Sequence, residues 1–504
     1  MYGLLGLEGA LLTESLFLWD DLPGWLLVIL WTLDIGIRVV MLGVVPGNRR
    51  PTTAMAWLLS IFFLPFVGLA LFLLFGNFKL SQRRVQRQAE VNERVFEATR
   101  DLDLHDDALD APEWVQSAAL LNRNLGAFPI QEGNRIEFIT DARDSIRQMT
   151  EAIRGAEKYV NVQFYIVGED PELTDPFLGA LEDATTRGVK VRFLFDHLGT
   201  MRTDGYRKLV RRLRSGDIEW RRMLPVSPLQ RRWRRPDLRN HRKILVIDGE
   251  VAYTGSQNLI EPGYKRASSH KIGREWIDLM ARVKGPLVTA LDVVFATDWS
   301  QETDENLMEH VNEGGVPTAR GDITGQLVPS GPGFIAENNL RLFNTLMYSA
   351  TGKLTITSPY FVPDDSMLYA ITTAAQRGVE VELLVSKRGD QPLVHHAQQS
   401  YYLQLLLAGV KIYRYQEPYV LHTKCFTVDD DVAVFGSSNM DMRSFSLNLE
   451  VSVMLIGSRS VREIDRIQAE YKEKSTLLTL EDWQGRSRLK RYVDNVARLT
   501  STLQ

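Results

Sequence analysis

NHRKILVIDGEVAYTGSQN, residues 240 to 258, and LHTKCFTVDDDVAVFGSSN, residues 421 to 439, carry one polar pattern laid on two apolar runs. In each, His is followed by Lys at plus two, Asp at plus seven, Gly-Ser at plus fourteen and fifteen, and Asn at plus seventeen. His241, Lys243, Asp248, Ser256 and Asn258 thus correspond to His422, Lys424, Asp429, Ser437 and Asn439. In a strand, period two puts each His and Lys on one face and sends the Asp to the other. His and Lys therefore share a site. Each Asp, counted with the catalytic motif, is read as a partner of the turn that follows, DGE in one copy and DDD in the other. Ser and Asn, two apart, are expected to offer neutral donors to a substrate, and Cys425, beside Lys424, to point away from it.

The same duplication extends upstream. KYVNVQFYIV (158–167) with FLGALEDATTRGVKVRFLFD (177–196) matches KLTITSPYFV (353–362) with MLYAITTAAQRGVEVELLVS (367–386). Each pair reads as an apolar strand, an amphipathic helix closed by Arg-Gly, and a second apolar strand. A repeat of about 180 residues is a duplicated domain, since solenoid units run to about 20 to 50. The expected fold is α/β: two duplicated domains, 113–315 and 316–504, packed face to face about a pseudo-twofold.

Two imidazoles, two ammonium groups, two hydroxyls and two amides meeting across that axis make a cationic pocket suited to a phosphodiester. One neutral His can attack phosphorus while the other, protonated, gives its proton to the leaving alkoxide; Lys, Ser and Asn stabilise the phosphoryl oxygens. Paired His residues also suit a metal, but a Lys at plus two is a poor neighbour for a divalent cation and no carboxylate or thiol shares its face. No metal and no cofactor is expected.

Length and charge bound the rest. The 504 residues carry 59 Lys and Arg against 63 Asp and Glu, which excludes a global polycation and leaves anion binding to local patches. One Cys excludes an internal disulfide and a thiolate-clustered metal site. Residues 51 to 76 run without a charge, and residues 24 to 45 are apolar but for Asp34 and Arg38, four apart and placed to pair. Two transmembrane helices, about 24–45 and 52–76, are expected in an N-terminal region 1–78; a buried core hairpin is the alternative for both, and a re-entrant or kinked helix at Pro65 and Gly68 a further one for the second. A charged linker, 79–112, follows. Two passes put the N-terminus and everything after residue 77 on one side, and Lys79, Arg83, Arg84, Arg87 and Arg94, against Arg49 and Arg50 in the turn, make that side cytoplasmic.

The two His-x-Lys-x4-Asp motifs resemble those of the phospholipase D superfamily. Within it NHRKILVIDG, SPYFVPDD (358–365), QLVPSGP (326–332) and RRPTTAMAWLL (49–59) look like the bacterial cardiolipin synthases. That resemblance implies transfer of a phosphatidyl group from one phosphatidylglycerol to another, with release of glycerol, through a phosphohistidine and without metal or nucleotide. It implies a multi-pass protein of the bacterial inner membrane whose partners are phosphatidylglycerol, cardiolipin and the bilayer; nucleases also belong to the superfamily, but the apolar spans favour lipid over nucleic acid. By the same resemblance an acidic residue downstream of each motif orients a His. Glu450 and Asp278 each stand seven residues before a Gly and correspond, with Glu275 the nearest competitor to Asp278. Relatives that use the N-terminal copy make His241 the nucleophile. Other donors or acceptors, phospholipid hydrolysis, and a silent membrane scaffold are the competing functions.

Between residues 207 and 243 stand fourteen Lys or Arg and three acids, with Trp220 and Trp233 interleaved: a lid for anionic headgroups or a solvated face. His395 and His396 read as a helix start near the rim, and His105, His197, His270 and His310 as structural or exposed. Tyr360 and Phe361, matched to Phe164 and Tyr165, are expected at the sheet's C-terminal edge.

Overall fold

The computed structural model describes every residue except 1–22, 48, 50, 77–81, 102–109, 227–236, 304, 309–319, 335–336 and 502–504. His105, His310, Trp233 and the expected boundary at 315/316 lie outside the described residues. The chain divides into two units, 1–78 and 79–504.

In the first unit, α1 (Gly24–Val44) is the one helix among the described residues long and apolar enough to cross a membrane. Asp34 and Arg38 pair on it at 3.0 Å. The expected second span is two helices, α2 (Pro51–Phe63) and α3 (Pro65–Phe75). Pro65 is the physical reason: its ring bars Leu64 from helical geometry (φ −133°, ψ 74°), while its own fixed φ suits the first position of α3.

The second unit is built on strands. The first copy supplies β1 (Ile130–Ile139), β2 (Tyr159–Phe164), β3 (Lys190–Asp196), β4 (Glu219–Met223), β5 (Ile244–Ile247), β6 (Val251–Gly255), the short β7 (Trp276–Ile277) and β8 (Met280–Lys284). The second supplies β9 (Ile323–Ser330), β10 (Lys353–Thr357), β11 (Phe361–Val362), β12 (Glu380–Ser386), β13 (Lys411–Tyr415), β14 (Val420–Leu421), β15 (Cys425–Val428), β16 (Val432–Gly436), β17 (Met440–Asp441), β18 (Glu450–Ile456) and β19 (Ser475–Leu478).

Fifteen of these form one sheet, ordered 19-13-12-10-15-16-18-9-1-8-6-5-2-3-4. From the middle outward, 1-8-6-5-2-3-4 repeats as 9-18-16-15-10-12-13, so the duplication holds strand by strand. The copies meet edge to edge and not face to face: β1 and β9 pair antiparallel, with Ile130 opposite Gln326. Each would otherwise be the open edge of a half-sheet, and pairing satisfies both rows of backbone groups. One apolar cluster runs through the join, taking Leu279, Leu287 and Leu291 from the first copy and Leu327, Val451 and Val453 from the second. The segment expected as a linker contains a helix, Gln82–Ala98, that docks on this unit through buried Arg84, whose guanidinium meets Glu302 at 2.5 Å.

Candidate active site

His241 and Lys243 stand just before β5, and His422 and Lys424 just before β15. These residues are not inside the hairpin strands; their backbone reaches across to the other copy. The His241 amide donates to the Leu449 carbonyl at 2.8 Å, and the His422 amide to the Ile277 carbonyl at 2.8 Å. Each His is thereby laid beside the acid that follows its backbone partner in the opposite copy.

His241 Nδ1 lies 2.9 and 3.0 Å from the two carboxylate oxygens of Glu450, and His422 Nδ1 lies 2.7 Å from Asp278 Oδ1. Glu275, the competitor, is half-exposed and paired with Arg143 at 2.6 Å. A carboxylate at Nδ1 fixes the proton there and leaves Nε2 as the nitrogen free for chemistry. Both Lys side chains curl back along their own face: Lys243 Nζ donates to the His241 carbonyl at 2.5 Å, and Lys424 Nζ to the His422 carbonyl at 2.6 Å.

All six groups are buried, and burial governs their protonation. It pushes the His241 imidazole down to about 4 in spite of Glu450, and lowers His422. It takes Lys243 well below the usual ammonium range and Lys424 to about 8. The carboxylates go the other way: burial would raise Asp278, but His422 and Lys424 hold it at about 2, and His241 with Lys243 lowers Glu450. The charge of Lys424 bears on His241 and that of Lys243 on His422, so the two motifs share one electrostatic site.

Ser256 and Ser437, expected to face substrate, are committed to the acids. Ser256 Oγ donates to Asp278 at 2.6 Å and accepts from the Leu279 amide; Ser437 Oγ donates to Glu450 at 2.5 Å and accepts from the Val451 amide. A hydroxyl can do both at once, which is why it fits between backbone and carboxylate. Asn258 is also engaged, donating to Tyr264 Oη and accepting from the Ile166 amide. Asn439 differs: its buried Oδ1 has no hydrogen-bond partner among the described residues.

Asp248 and Asp429 stand away from the His-Lys groups, in the β5–β6 and β15–β16 turns. Asp248 accepts from the amides of Glu157, Lys158 and Tyr159, and Asp429 from those of Thr351, Gly352 and Lys353. Each ties its hairpin to the start of the neighbouring strand, β2 or β10. Both have left-handed backbone, φ 55° and 49°, which Asp tolerates better than most residues. Cys425 Sγ lies 3.6 Å from Gln468 in the core, where burial lifts its thiol to about 12.

Several neighbours escaped the motif reading. Tyr165 meets the His241 ring edge-on at 4.9 Å and Tyr360 meets His422 at 6.3 Å, so Tyr165 and Tyr360 are counterparts, as the alignment of 158–167 with 353–362 has them, and the match of Tyr360 and Phe361 to Phe164 and Tyr165 is one residue out. Arg242 makes a buried two-pronged pair with Asp298, at 2.8 Å on both oxygens, and Asp298 also receives Gln163 and Asn240. Its position is Thr423 in the second copy, a difference visible in the aligned motifs. Part of the basic 207–243 stretch supports the fold: Arg212 holds Glu182 and Asp175, and Arg239 holds Asp196. Residues 227–236 lie outside the described set. His396 pairs with Asp494 at 2.8 Å, a structural contact.

Comparison with known proteins agrees. Residues 149–299 and 343–471 match the family model described as cardiolipin synthase, PLD-like domain, and residues 35–77 match a phospholipase D-nuclease N-terminal model. The chain is similar to cardiolipin synthase A of Proteus mirabilis, 34% identical over 484 residues (94% of this chain, 96% of that one), and to that of Edwardsiella ictaluri, 33% identical over 491 (93% and 97%). The crystal structure of Haemophilus influenzae phosphatidylserine synthase shares the fold at a TM-score of 0.59 and 13% identity, covering 78% of this chain and all of that one. With paired His-Lys motifs, exchanged acids and near full-length similarity in hand, the chain belongs to the cardiolipin synthases of the phospholipase D-like family.

Proposed function

We propose that the chain makes cardiolipin by moving a phosphatidyl group between two phosphatidylglycerol molecules. His241 Nε2 attacks phosphorus, the bond to the glycerol headgroup breaks, and the Nε2 proton of His422 passes to the departing alkoxide. A headgroup hydroxyl of a second phosphatidylglycerol then gives its proton to His422 and attacks the phosphohistidine, restoring both rings. The observation that carries this reading is the exchange of acids: each His is held at Nδ1 by a carboxylate from the other copy, which leaves both Nε2 atoms for chemistry.

Burial favours the neutral nucleophile at His241. The arriving phosphodiester anion raises the affinity of His422 and both Lys residues for protons, opposing burial when the acid is required. Lys243, Lys424 and Asn439 stabilise the phosphoryl oxygens, so the chemistry calls on neither metal nor nucleotide. Asp248 and Asp429 act by holding their hairpins. The substrates are lipids and not nucleic acid, and the protein sits in the bacterial inner membrane with its catalytic unit on the cytoplasmic side.

Detergent-dispersed phosphatidylglycerol as sole substrate tests the reaction. Glycerol and cardiolipin should appear in equal amounts; phosphatidic acid without cardiolipin would make the protein a hydrolase instead.

A further inference from the structure

The first unit contains more than a span and a broken span. Arg49, just before α2, donates from Nη2 to the carbonyl of Gly76, just after α3, at 2.9 Å, and from Nε to the same oxygen at 3.3 Å. These residues are 27 apart, and a continuous helix would hold them about 40 Å from each other. Trp57 and Phe72 meet edge-on at 5.5 Å, and the Arg49 guanidinium lies 4.8 Å from the Phe72 ring. At the closed end Gly68 sits so near the first helix that a Cβ would come within 2.6 Å of the Ser60 carbonyl oxygen and 2.7 Å of the Ile61 Cα. Only a residue without a side chain allows that approach. Helices α2 and α3 are therefore the two legs of a hairpin, about 20 and 17 Å long at 1.5 Å per residue, against a hydrocarbon core of about 30 Å.

We propose that residues 51–75 enter and leave the bilayer on the catalytic side as a re-entrant hairpin, so that the chain crosses the membrane once, through α1. This rests on reading the first unit as membrane-embedded. Met41 and Val45, at the C-terminal end of α1, pack with Ala54, Ile61 and Phe72 of the hairpin. Near the tip, the Phe62 ring lies 6.0 Å from the guanidinium of Arg38, which is paired with Asp34 around the middle of α1. Arg38 stands about one turn past the midpoint of α1, so the hairpin ends beside the C-terminal half of the spanning helix, short of its far end, as an insertion into one leaflet requires.

Charge supports the same topology independently. With one crossing, Arg49, Arg50, Lys79, Arg83, Arg84, Arg87 and Arg94 all fall on one side, and residues 1–23, with no Lys or Arg and with Glu8, Glu14, Asp20 and Asp21, on the other. Two crossings would split those cations between the sides. The single crossing satisfies the positive-inside rule more completely and puts the catalytic unit in the cytoplasm.

The single native Cys makes the test direct, because Cys425 is buried. Gly9→Cys, Asn48→Cys and Ser81→Cys are each introduced into full-length protein carrying Cys425→Ser, and a membrane-impermeant maleimide is applied to spheroplasts and to inverted vesicles. Label on Gly9→Cys from the outside, with Asn48→Cys and Ser81→Cys labelled only in inverted vesicles, is expected. Gly9→Cys and Ser81→Cys labelled together, with Asn48→Cys opposite, overturns the hairpin in favour of two spans. All three on one side overturns the crossing itself. Gly9→Cys on the cytoplasmic side with the other two outside keeps the hairpin and overturns the cytoplasmic placement of the catalytic unit. Release of the unsubstituted chain by alkaline carbonate overturns the membrane reading on which the proposal rests.

Discussion

Glu450 of the second copy grips His241 of the first through both carboxylate oxygens, at 2.9 and 3.0 Å from Nδ1. Asp278 returns the arrangement to His422. Neither copy holds a His together with its acid, so a half-enzyme has nothing to fix its ring. Glu450→Gln keeps a hydrogen-bonding group but removes the charge that fixes the Nδ1 tautomer. It should lower kcat by about 10²- to 10⁴-fold with a small change in KM. Steady-state kinetics on detergent-dispersed phosphatidylglycerol will decide, and a wild-type kcat would remove Glu450 from the mechanism.

Lys424 sets an alkaline limit. Burial brings its ammonium to about 8, with Asp278 the strongest opposing influence. The charged form that stabilises the phosphoryl oxygens is present below that value and lost above it, so kcat/KM should fall as pH rises through about 8. Asp278→Asn, by removing the carboxylate that supports the ammonium, should move this limb to lower pH as well as reduce kcat. A pH–rate profile whose alkaline limb stays in place in Asp278→Asn would detach Asp278 from the titration.

How much of this was legible in the sequence differs from residue to residue. The His-Lys pairs were, because a two-residue spacing puts two side chains on one face of an extended backbone, and the segment before β5 and β15 stays extended even where it is outside the strand. Asp278 and Glu450 were reached by family resemblance alone, since each meets its His across 144 and 209 residues of chain and no local period reports such a contact. Ser256 and Ser437 were assigned to substrate because spacing cannot tell a hydroxyl that faces a ligand from one that braces a carboxylate. The edge-to-edge join through β1 and β9 depends on pairing between distant strands, which strand-helix-strand patterning does not encode. Hydropathy saw residues 51–76 as one apolar run; only Pro65 and Gly68 marked the place where it folds back.

The turn aspartates should matter to stability and not to chemistry. Asp429→Asn exchanges a carboxylate holding three backbone amides for a neutral amide, at a cost of about 1–3 kcal/mol, and should lower the melting temperature while leaving kcat of the folded enzyme near wild type. Burial would raise the Asp429 carboxyl, but the amides of Lys353, Thr351 and Gly352 hold it below its ordinary value. Its stabilisation is therefore present above the ordinary Asp pKa and is lost as pH falls through the depressed one. The melting difference between wild type and Asp429→Asn should accordingly shrink in acid; a constant difference would place the effect elsewhere.

The two His residues can be told apart by what rescues their loss. If His241 is the nucleophile and His422 the acid, His422→Ala still forms the phosphohistidine whenever the leaving group departs without a proton. A phosphatidyl ester of a nitrophenol should therefore release nitrophenolate in a burst with His422→Ala and label His241, because the phenolate is stable unprotonated and the missing general acid is not needed. His241→Ala should give no burst with the same ester, since no proton-transfer defect is being bypassed. With phosphatidylglycerol both variants should be inactive, and wild-type enzyme should exchange labelled glycerol into phosphatidylglycerol before net cardiolipin accumulates. A burst confined to His241→Ala, with label on His422, would exchange the two roles while keeping the mechanism. Absence of burst, label and glycerol exchange in the wild-type enzyme under turnover would replace the covalent route with direct transfer between the two lipids.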